Sequence, residues 1–402
     1  MADGLRPRDA AEVEAAVRWA LGEALPLALA GNGSKQGFGR PVAAAHRLDL
    51  RALAGIVAYE PEELVLTAGP GTPLSEIEGL LSQHRQQLAF EPADYGPISG
   101  GPAGRQTLGG VIACNLSGPR RIKAGAARDH LLGFKAVSGR GEAFKSGGRV
   151  VKNVTGYDLS KLMAGSHGTL AVLTEVTLKV LPAPEAGETV LLFGQDDAAA
   201  VAALAEAAAS PHEVSGLAHL PEAAARRSAA ASRAVTAVRV EGPEPSVRHR
   251  AGELASLLGK RGDTARLKAE ASLAFWGDVR DVTPLLPGEG RQLWRLSLPP
   301  SAGPAVVRAL AQQRADIGYF YDWAGGLVWL DLPASADAWH GAVRAACAGR
   351  GHATLLRADA AVRASVPVFQ PQPAALAALS ARVKASFDPR GLLNPGRMVQ
   401  EG

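Results

Sequence analysis

Glycine is concentrated in one part of this 402-residue sequence. Sixteen of its 46 glycines lie between Gly96 and Gly168. Glycine lets the backbone approach a ligand closely and adopt positive φ, so this concentration predicts a ligand-binding cradle inside an otherwise apolar domain. A turn-rich β domain would account for the same composition, and composition alone does not separate the two.

The rest of the composition is typical of a large globular protein. Apolar residues make up 47% of the chain and charged residues 20%, which excludes a disordered or fibrous protein. At ~150 residues per domain the length predicts two or three domains. The net charge of +4 is scattered and does not indicate nucleic-acid binding. No apolar run approaches the ~18 residues of a membrane span, and no secretion signal is visible.

The cysteine content limits the redox chemistry of the chain. Two thiols, Cys114 and Cys347, can neither build a disulfide framework nor ligate an iron–sulfur cluster. They favour a reducing compartment. We therefore expect a cytoplasmic protein, with any membrane association made peripherally through partners, and we predict no metal site.

The hydrophobic pattern changes near residue 184. The β-rich segment Leu170–Leu181 ends at Pro182-Ala-Pro184, a stiff break typical of a domain boundary. Before it, the predicted strands are Leu25–Ala30, Ala43–Leu50, Gly55–Tyr59, Leu64–Ala68, Leu132–Val137, Glu142–Lys145 and Leu170–Leu181, and the predicted helices are Pro73–Ser82 and Leu159–Ala164.

Beyond this break, two runs of alternating strands and helices follow one another. The predicted strands are Thr189–Phe193, His212–Leu220, Arg233–Val240, Gln292–Leu298, Gly318–Trp323, Leu327–Leu332 and Thr354–Arg357, and the predicted helices are Asp196–Ala209, Pro245–Lys260, Ala269–Arg280, Pro304–Arg314 and Ser335–Ala348. The two runs predict an α+β cap with a mainly antiparallel sheet made of two ferredoxin-like halves. We expect domains at residues 1–184 and 185–370, followed at 371–402 by a helix, Ala374–Ser386, and a tail.

The first glycine-rich loop, Gly31–Gly39, directly follows a predicted strand. Its spacing fails the dinucleotide fingerprint because Gln36 stands at the third glycine position, and the glycines and proline beyond it forbid a regular helix. Successive backbone N–H groups of such a loop can form a nest for phosphate oxygens, with the Ser34 hydroxyl and the Lys35 charge beside them. Taken alone, the loop fits a plain surface turn equally well.

The second segment covers residues 102–118. Thr107 is a predicted helix cap, and Gly109 and Gly110 leave the backbone of the following turn open. A helix that starts there would direct N–H donors at a phosphate or a carbonyl group. Cys114 occupies an apolar position with no histidine next to it in the sequence, so we interpret it as a core residue rather than a nucleophile.

The third segment, residues 150–170, is the densest polar block. Asp158 is predicted to cap a short helix that ends at Gly165. His167 lies between Ser166 and Gly168. A catalytic role for this imidazole is one interpretation, and a structural role in the loop is the other.

Four segments in this order resemble the flavin-binding domain of the vanillyl-alcohol-oxidase type, also called the PCMH-type FAD domain. They are Gly31–Gly39, Gly109–Asn115, Lys152–Glu175 and the tail Phe387–Arg397. Four ordered motifs that span nearly the whole chain are more specific than any one of them. Within this family, the stretches Arg120–Gly133 and Gly351–Arg357 resemble the FAD-binding E subunit of bacterial glycolate oxidases.

The resemblance implies an α+β fold in which two α/β subdomains form the FAD domain, a ferredoxin-like cap follows, and the tail returns to the FAD domain. It also implies that three walls bind FAD: the first loop around the pyrophosphate, the second along the flavin and its phosphates, and the third closing the site. The residues assigned to FAD in this way are Gly31, Asn32, Gly33, Ser34, Lys35, Thr107, Gly109, Gly110, Ala113, Asn115, Ser117, Gly118, Arg128, Asp129, Lys152, Asn153, Tyr157, Asp158, Gly165, Gly168 and Thr169.

The resemblance also bears on how FAD is held. Relatives that attach FAD covalently often use a histidine of the first loop, and Gly31–Gly39 contains none. We therefore expect non-covalent FAD. Nanomolar binding corresponds to about −12 kcal/mol, and several charge-assisted hydrogen bonds of ~1.5–3 kcal/mol each, together with burial of the rings, reach that scale.

Stand-alone 2-hydroxyacid dehydrogenases of the superfamily share a cap motif, His-x-His-x-Gly-x-Gly-Asn-x-His, whose imidazoles would bind metal or take the substrate proton. None of the nine histidines here forms it, and the isolated His352 is the nearest. The resemblance therefore implies a flavoprotein subunit of a complex that oxidises glycolate, or similar 2-hydroxyacids such as D-lactate, to glyoxylate or its analogue. Its partners would be a sister flavin subunit and an iron–sulfur subunit that passes electrons to quinone.

Two other interpretations stay open. In one, the chain is itself an FAD-dependent 2-hydroxyacid dehydrogenase with an unrecognised active site, for which Arg357, His352 and Tyr319 are weak candidates. In the other, it is a non-catalytic assembly subunit that only holds FAD. A vestigial flavin site is disfavoured by the intact glycine loops. The sequence assigns no catalytic residue.

Overall fold

A computed structural model describes residues 4–148, 157–228, 232–286 and 290–399. The strands in these ranges are β1 (Gly4–Leu5), β2 (Leu27–Ala30), β3 (His46–Asp49), β4 (Ile56–Glu60), β5 (Val65–Ala68), β6 (Gln86–Gln87), β7 (Leu131–Ser138), β8 (Ala143–Gly147), β9 (Ala171–Lys179), β10 (Leu181–Pro182), β11 (Ala186–Phe193), β12 (Gly216–Leu220), β13 (Val235–Gly242), β14 (Thr264–Lys268), β15 (Arg291–Ser297), β16 (Gly318–Asp322), β17 (Leu327–Pro333) and β18 (His352–Arg357).

The helices complete the element order. They are α1 (Ala10–Gly22), α2 (Leu74–Gln83), α3 (Tyr95–Ile98), α4 (Leu108–Ala113), α5 (Arg121–Ala124), α6 (Ala127–His130), α7 (Leu159–Met163), α8 (Asp197–Ala209), α9 (Glu222–Ala225), α10 (Glu244–Gly259), α11 (Ala269–Arg280), α12 (Gly303–Gln313), α13 (His340–Cys347), α14 (Ala360–Ser365) and α15 (Ala374–Phe387). Within the described residues, no helix is long and apolar enough to cross a membrane.

The chain divides into two compact units. Unit 1 comprises Met1–Leu116, Gly125–Ala183 and Pro371–Gly402, and unit 2 comprises Ser117–Ala124 and Pro184–Gln370. The short segment 117–124, which the sequence analysis placed in the first domain, groups with unit 2. As functional domains, the boundaries proposed above stay predictions.

Unit 1 combines two sheets around one core. The parallel sheet β1-β3-β2 and the antiparallel sheet β4-β5-β9-β7-β8 share a cluster of buried apolar residues, to which α1 contributes Val13 and Val17 and the tail contributes Leu392 and Leu393. A small antiparallel pair, β6 with β10, lies apart from these sheets. The core therefore joins the first and last parts of the sequence.

The first glycine loop lies between two parallel strands. Leu27–Ala30 pairs in register with His46–Asp49, and residues 31–45 connect them without a described helix. A parallel pair cannot be joined by a tight turn, so the connection is long enough to form a wide loop at the end of β2. The predicted strand–loop–strand arrangement is confirmed.

The C-terminal tail is anchored by a buried carboxylate. Asp388, 2% exposed, accepts hydrogen bonds from the Leu392 N–H at 3.0 Å and the Leu393 N–H at 2.8 Å, and it also pairs with the ammonium of Lys384. That ammonium donates to the Thr169 carbonyl at 2.7 Å as well. The tail is thus tied to the chain around residue 169, as expected of a tail that returns to the first domain.

Unit 2 contains one antiparallel sheet of eight strands in the order β14-β11-β13-β12-β16-β17-β15-β18. Each half follows the order strand, helix, strand, strand, helix, strand, and each has its own buried core. The halves meet where β12 pairs with β16, at His219 and Tyr321. This confirms the predicted α+β cap with two ferredoxin-like halves.

Most predicted elements occur within a few residues of their expected bounds, and the exceptions have local causes. The helix expected from Ser335 begins only at His340, because the Asp337 carboxylate accepts hydrogen bonds from the Ser335 hydroxyl and the Trp339 N–H and turns the backbone first. Several elements lie outside the predictions, most of them short. Two longer ones are β14, an edge strand with alternating polar residues, and α1, although Asp9 caps it by accepting from the Glu12 N–H.

We expect Gly139→Ala to destabilise unit 1. A Cβ at this position would lie 2.2 Å from Asp388 Oδ1, so the added methyl group would displace the carboxylate that anchors the tail. Overpacking of this kind costs about 1–3 kcal/mol. Gly148→Ala is the matched control, since a Cβ there meets no atom of the described residues within 4 Å. Urea unfolding of both variants checks the prediction, and equal free energies of unfolding would contradict it.

Candidate cofactor site

A cavity opens within unit 1 beside the first glycine loop. It encloses about 860 Å³ of empty space, which includes open solvent at its mouth. Most of its lining comes from four segments: β2 with the loop that follows it, α4 with the residues that flank it, the turn after α7, and the tail. The lining residues are Leu29, Ala30, Gly31, Asn32, Gly33, Ser34, Lys35, Gln36, Leu50, Pro70, Thr107, Gly109, Gly110, Ala113, Cys114, Met163, Ser166, His167, Gly168, Ala171, Leu173, Asn394 and Arg397.

The first loop presents backbone donors to this cavity. Among the described residues, no protein acceptor takes the N–H groups of the four consecutive residues 32–35. Gly33, with φ of +81°, reverses the backbone in the middle of this run. Consecutive unpaired N–H groups around a left-handed residue form the concave anion-binding arrangement called a nest.

Lys35 adds a buried positive charge to the same loop. Its side chain is 7% exposed, and its ammonium donates to the Ser34 hydroxyl at 3.1 Å. Within the described part of the chain, no carboxylate lies at ion-pair distance from it. Burial lowers the pKa of Lys35 to about 8, an effect partly offset by Cys114 and Asp94. A desolvated ammonium that lacks an anionic partner is a strong binding group for one.

Thr107 and Gly31 bring the second segment against the first loop. A Cβ on Gly31 would lie 2.6 Å from Thr107 Oγ1, so only glycine allows this contact. Thr107 stands at the N-cap of α4, but its hydroxyl does not accept a capping hydrogen bond. The predicted cap position is therefore confirmed, although the hydroxyl lies close to Gly31 and makes no capping hydrogen bond. Helix α4 has only six residues, so its own dipole is small.

The half-buried Cys114 and the buried His167 form a pair at the cavity wall. The Cys114 Sγ lies 3.6 Å from His167 Nδ1, so the fold brings a histidine to this cysteine that is not adjacent to it in the sequence. Burial, with a smaller effect of the Arg397 guanidinium, lowers the pKa of His167 to about 3. Burial also raises the pKa of the Cys114 thiol. Both groups are therefore neutral near pH 7, and the pair is not an activated thiolate.

Two residues of the tail complete the cavity, and sequence reasoning assigned them no role. Asn394 and Arg397 both line it. They belong to the Asn-Pro-Gly-Arg end of the tail motif that carried the family resemblance. That motif was the only signal in the sequence that could have indicated them.

The structure brings together ten of the residues predicted to bind FAD. Those that line the cavity are Gly31, Asn32, Gly33, Ser34, Lys35, Thr107, Gly109, Gly110, Ala113 and Gly168. Those outside it are Asn115, Ser117, Gly118, Arg128, Asp129, Tyr157, Asp158, Gly165 and Thr169. Lys152 and Asn153 lie outside the described residues. For all of them, a role toward FAD stays a prediction.

Several residues outside the cavity have structural contacts. The Asn115 Oδ1 accepts from the Arg128 N–H at 2.9 Å. Asp158 caps α7 by accepting from the Lys161 N–H at 3.2 Å, as the sequence predicted. Tyr157 is 91% exposed, and Ser117 belongs to unit 2. Such contacts can position the cavity walls without touching a ligand.

Two of the three catalytic candidates in unit 2 bind carboxylates of the same unit. The Arg357 guanidinium donates to Asp331 at 3.0 Å, and the Tyr319 hydroxyl donates to Asp197 at 2.9 Å. His352 is exposed at the start of β18. These contacts give the first two side chains structural roles within unit 2.

The cavity of unit 1 fits the diphosphate of a dinucleotide. Residues 32–35 with their unpaired N–H groups, the Ser34 hydroxyl and the buried Lys35 ammonium all line the cavity. Gly110 lies beside them, where an added Cβ would make ordinary contacts of 3.4 Å with Lys35 Cδ and Thr107 Oγ1. Phosphate oxygens accept hydrogen bonds from each of these donors.

Comparison with known proteins identifies the family. The family model described as "FAD binding domain" matches residues 4–147. The glycolate oxidase subunit GlcE of Escherichia coli (strain K12) is 37% identical over 390 residues, which are 96% of this chain and 96% of that protein. The chain belongs to the GlcE family. It is therefore an FAD-binding protein of an oxidoreductase family.

Two further proteins are similar to this GlcE family member, one in part of its sequence and one in its fold. The glycolate oxidase subunit GlcD of Bacillus subtilis (strain 168) is 36% identical over 147 residues, so the match covers 36% of this chain and 29% of that protein. The solved structure of p-cresol methylhydroxylase superposes with a TM-score of 0.69 at 12% identity, covering 98% of this chain and 88% of that one. The latter likeness confirms the PCMH-type fold.

The buried ammonium predicts an unusual pH dependence for the chain without FAD. Unfolded, Lys35 keeps its proton up to a pKa near 10.5, whereas folded it loses it near 8. The unfolded chain therefore binds more protons between these values, and the free energy of unfolding rises with pH in that window. The full gain is about 3 kcal/mol at most.

Lys35→Met should abolish this rise, while Lys145→Met, which replaces an exposed lysine of β8, should keep it. Urea unfolding of the FAD-free chain and both variants at about pH 7.5 and about pH 10 measures the difference. A wild-type chain whose stability is unchanged or falls between these pH values would contradict the assigned state of Lys35.

Proposed function

We propose that this chain is the FAD-binding subunit of a complex that oxidises glycolate and similar 2-hydroxyacids, such as D-lactate, to the corresponding 2-oxoacids. The observation that carries the proposal is the 37% identity over 96% of both chains to a protein named glycolate oxidase subunit GlcE. A further relative is named glycolate oxidase subunit GlcD, and others are named D-lactate and D-2-hydroxyglutarate dehydrogenases.

The cavity of unit 1 supports the cofactor part of this proposal. The N–H groups of residues 32–35 and the Lys35 ammonium would hold the FAD diphosphate, and Gly110 would leave room beside it. When bound, FAD supplies an acceptor for the two electrons of the hydroxyacid. The protein would contribute binding, orientation and a water-poor surrounding.

We propose that FAD is held without a covalent bond. The first loop contains no histidine, and the cavity's histidine, His167, is packed against Cys114 on one side and edge-on against Phe38, with 4.9 Å between the ring centroids. Charge-assisted hydrogen bonds and ring burial would supply the affinity instead.

The partners proposed are a sister flavin subunit, which would oxidise the hydroxyacid, and an iron–sulfur subunit, which would pass electrons toward quinone. The naming of GlcE and GlcD relatives as subunits supports an assembly. In unit 2, the engagement of Arg357 with Asp331 and of Tyr319 with Asp197 favours this division of labour over catalysis by the cap.

The cellular location that goes with this function is the cytoplasm or the cytoplasmic face of the inner membrane, with membrane contact through partners. Cys114 and Cys347 are both free thiols, a state that a reducing compartment maintains.

The proposed function is tested by comparing the isolated chain with the reconstituted assembly. We expect the isolated chain to be yellow, with a flavin band near ~450 nm that anaerobic glycolate or D-lactate does not bleach promptly. The assembly with the sister flavin and iron–sulfur subunits should be bleached and should turn over. Prompt bleaching of the isolated chain would favour a stand-alone dehydrogenase, and a colourless chain that FAD does not reconstitute would overturn the cofactor site.

Gly110→Val should empty the FAD site. The Cβ itself fits, but the two branched carbons would extend into the cavity beside Lys35, so binding should weaken more than about tenfold, equivalent to about 1.4 kcal/mol. Gly79→Val in α2 is the control, since a Cβ there meets nothing within 4 Å in the part of the chain that the structure describes. FAD released into the supernatant by acid precipitation is measured per mole of protein. Equal FAD content in the two variants would contradict the assignment of Gly110.

A further inference from the structure

The first glycine loop has backbone carbonyl groups as well as N–H groups, and the carbonyls of Lys35, Gln36 and the following Arg40 accept hydrogen bonds from the C-terminal tail. Arg397 Nη2 donates to the Lys35 carbonyl at 2.8 Å, and Nη1 donates to the carbonyls of Gln36 at 3.3 Å and Arg40 at 3.4 Å. The Arg40 N–H returns a hydrogen bond to the Arg397 carbonyl at 3.0 Å. One guanidinium thus binds three carbonyls of a loop that has no regular secondary structure.

The packing of Arg397 against the loop explains why residue 39 is glycine. Gly39 has φ of +90°, and a Cβ on it would lie 3.1 Å from the Cδ, the Nε and the carbonyl oxygen of Arg397. The tail, rather than a ligand, therefore requires glycine there. At Gly39 the tail therefore packs against the C-terminal end of the first glycine loop. The unpaired N–H groups belong to residues 32–35, nearer the start of the loop.

Asn394 makes a second connection from the tail to the cavity walls. Its Oδ1 accepts from the Leu29 N–H at 2.8 Å, and its Nδ2 donates to the His167 carbonyl at 2.8 Å. Its backbone N–H donates to the Leu27 carbonyl at 3.0 Å. One side chain therefore joins the strand before the first loop to the turn that carries Gly168.

We propose that Arg397 and Asn394 are positioning residues for the cofactor: the C-terminal tail holds the first glycine loop in the conformation that directs the N–H groups of residues 32–35 and the Lys35 ammonium into the cavity. The inference rests on the proposed FAD site and deepens it. By binding the carbonyl side of the peptide units at Lys35 and Gln36, the guanidinium fixes the orientation of the backbone next to the nest. FAD affinity then depends on a segment outside the matched FAD-binding region of residues 4–147.

The test uses the full-length chain and three variants. Arg397→Met removes the three donations, Arg397→Lys keeps the charge but not the forked geometry, and Arg390→Met removes one charge from an exposed position of the same tail. Two quantities are measured: the FAD dissociation constant, from flavin fluorescence during titration of FAD-free chain, and amide hydrogen exchange of residues 36–40 in the FAD-free chain.

We expect Arg397→Met to weaken FAD binding at least about tenfold. It should also speed hydrogen exchange of the Phe38 and Arg40 amides at least about tenfold. Exchange in β7 and β9 should stay as in the wild type. Arg390→Met should match the wild type in both measurements. If Arg397→Met does not fold, FAD affinity and amide exchange are measured on Arg397→Lys instead, and we expect smaller effects in the same direction.

The proposal would be overturned if Arg397→Met bound FAD with wild-type affinity and showed unchanged exchange of the loop amides. It would also be overturned if exchange became faster evenly over unit 1, because that result indicates general destabilisation. The exchange measurement needs no FAD. A wild-type chain that fails to bind FAD would therefore refute the proposed function, while the exchange of residues 36–40 would still decide whether Arg397 holds the loop.

Discussion

A loop without regular secondary structure must satisfy its backbone polar groups through other segments, and this constraint shapes unit 1. The first glycine loop leaves four consecutive N–H groups toward a cavity, while its carbonyls bind Arg397 at the other end of the chain. The tail that delivers Arg397 is in turn fixed by the buried Asp388 and by apolar residues in the core of the unit. Cofactor site, tail and core are therefore parts of one network of contacts.

Burial sets the charge state of the groups around the cavity. The same loss of water that lowers the pKa of Lys35 to about 8 and of His167 to about 3 raises the pKa of the Cys114 thiol. Near pH 7 this leaves a buried positive side chain on the first loop and a neutral thiol–imidazole pair elsewhere in the cavity lining. This distribution of charge suits a ligand with an anionic group at the loop and an uncharged ring system beside the thiol–imidazole pair. FAD has both, in its diphosphate and its flavin ring.

The two units differ in what their polar residues do. In unit 1, residues whose N–H groups have no acceptor among the described residues line a cavity. In unit 2, the catalytic candidates Tyr319 and Arg357 bind the carboxylates of Asp197 in α8 and Asp331 in β17. The cap is a doubled ferredoxin-like sheet whose halves join at His219 and Tyr321. These contacts give the candidate side chains structural roles in unit 2, which supports the proposed division of labour between this chain and its partners.

The sequence by itself determined the class of fold, the order of most strands and helices, the doubled βαββαβ pattern of the cap and the three glycine-rich segments, because these follow from local periodicity, turn residues and backbone freedom. Ten of the residues it proposed for FAD line one cavity. Only the tertiary structure decided that Cys114 lies next to His167, that the Thr107 hydroxyl faces Gly31 instead of capping α4, that Lys35 is buried, and that Asn394 and Arg397 belong to the site. Each of these depends on contacts between residues far apart in the chain, and local patterns carry no information on which distant segments meet.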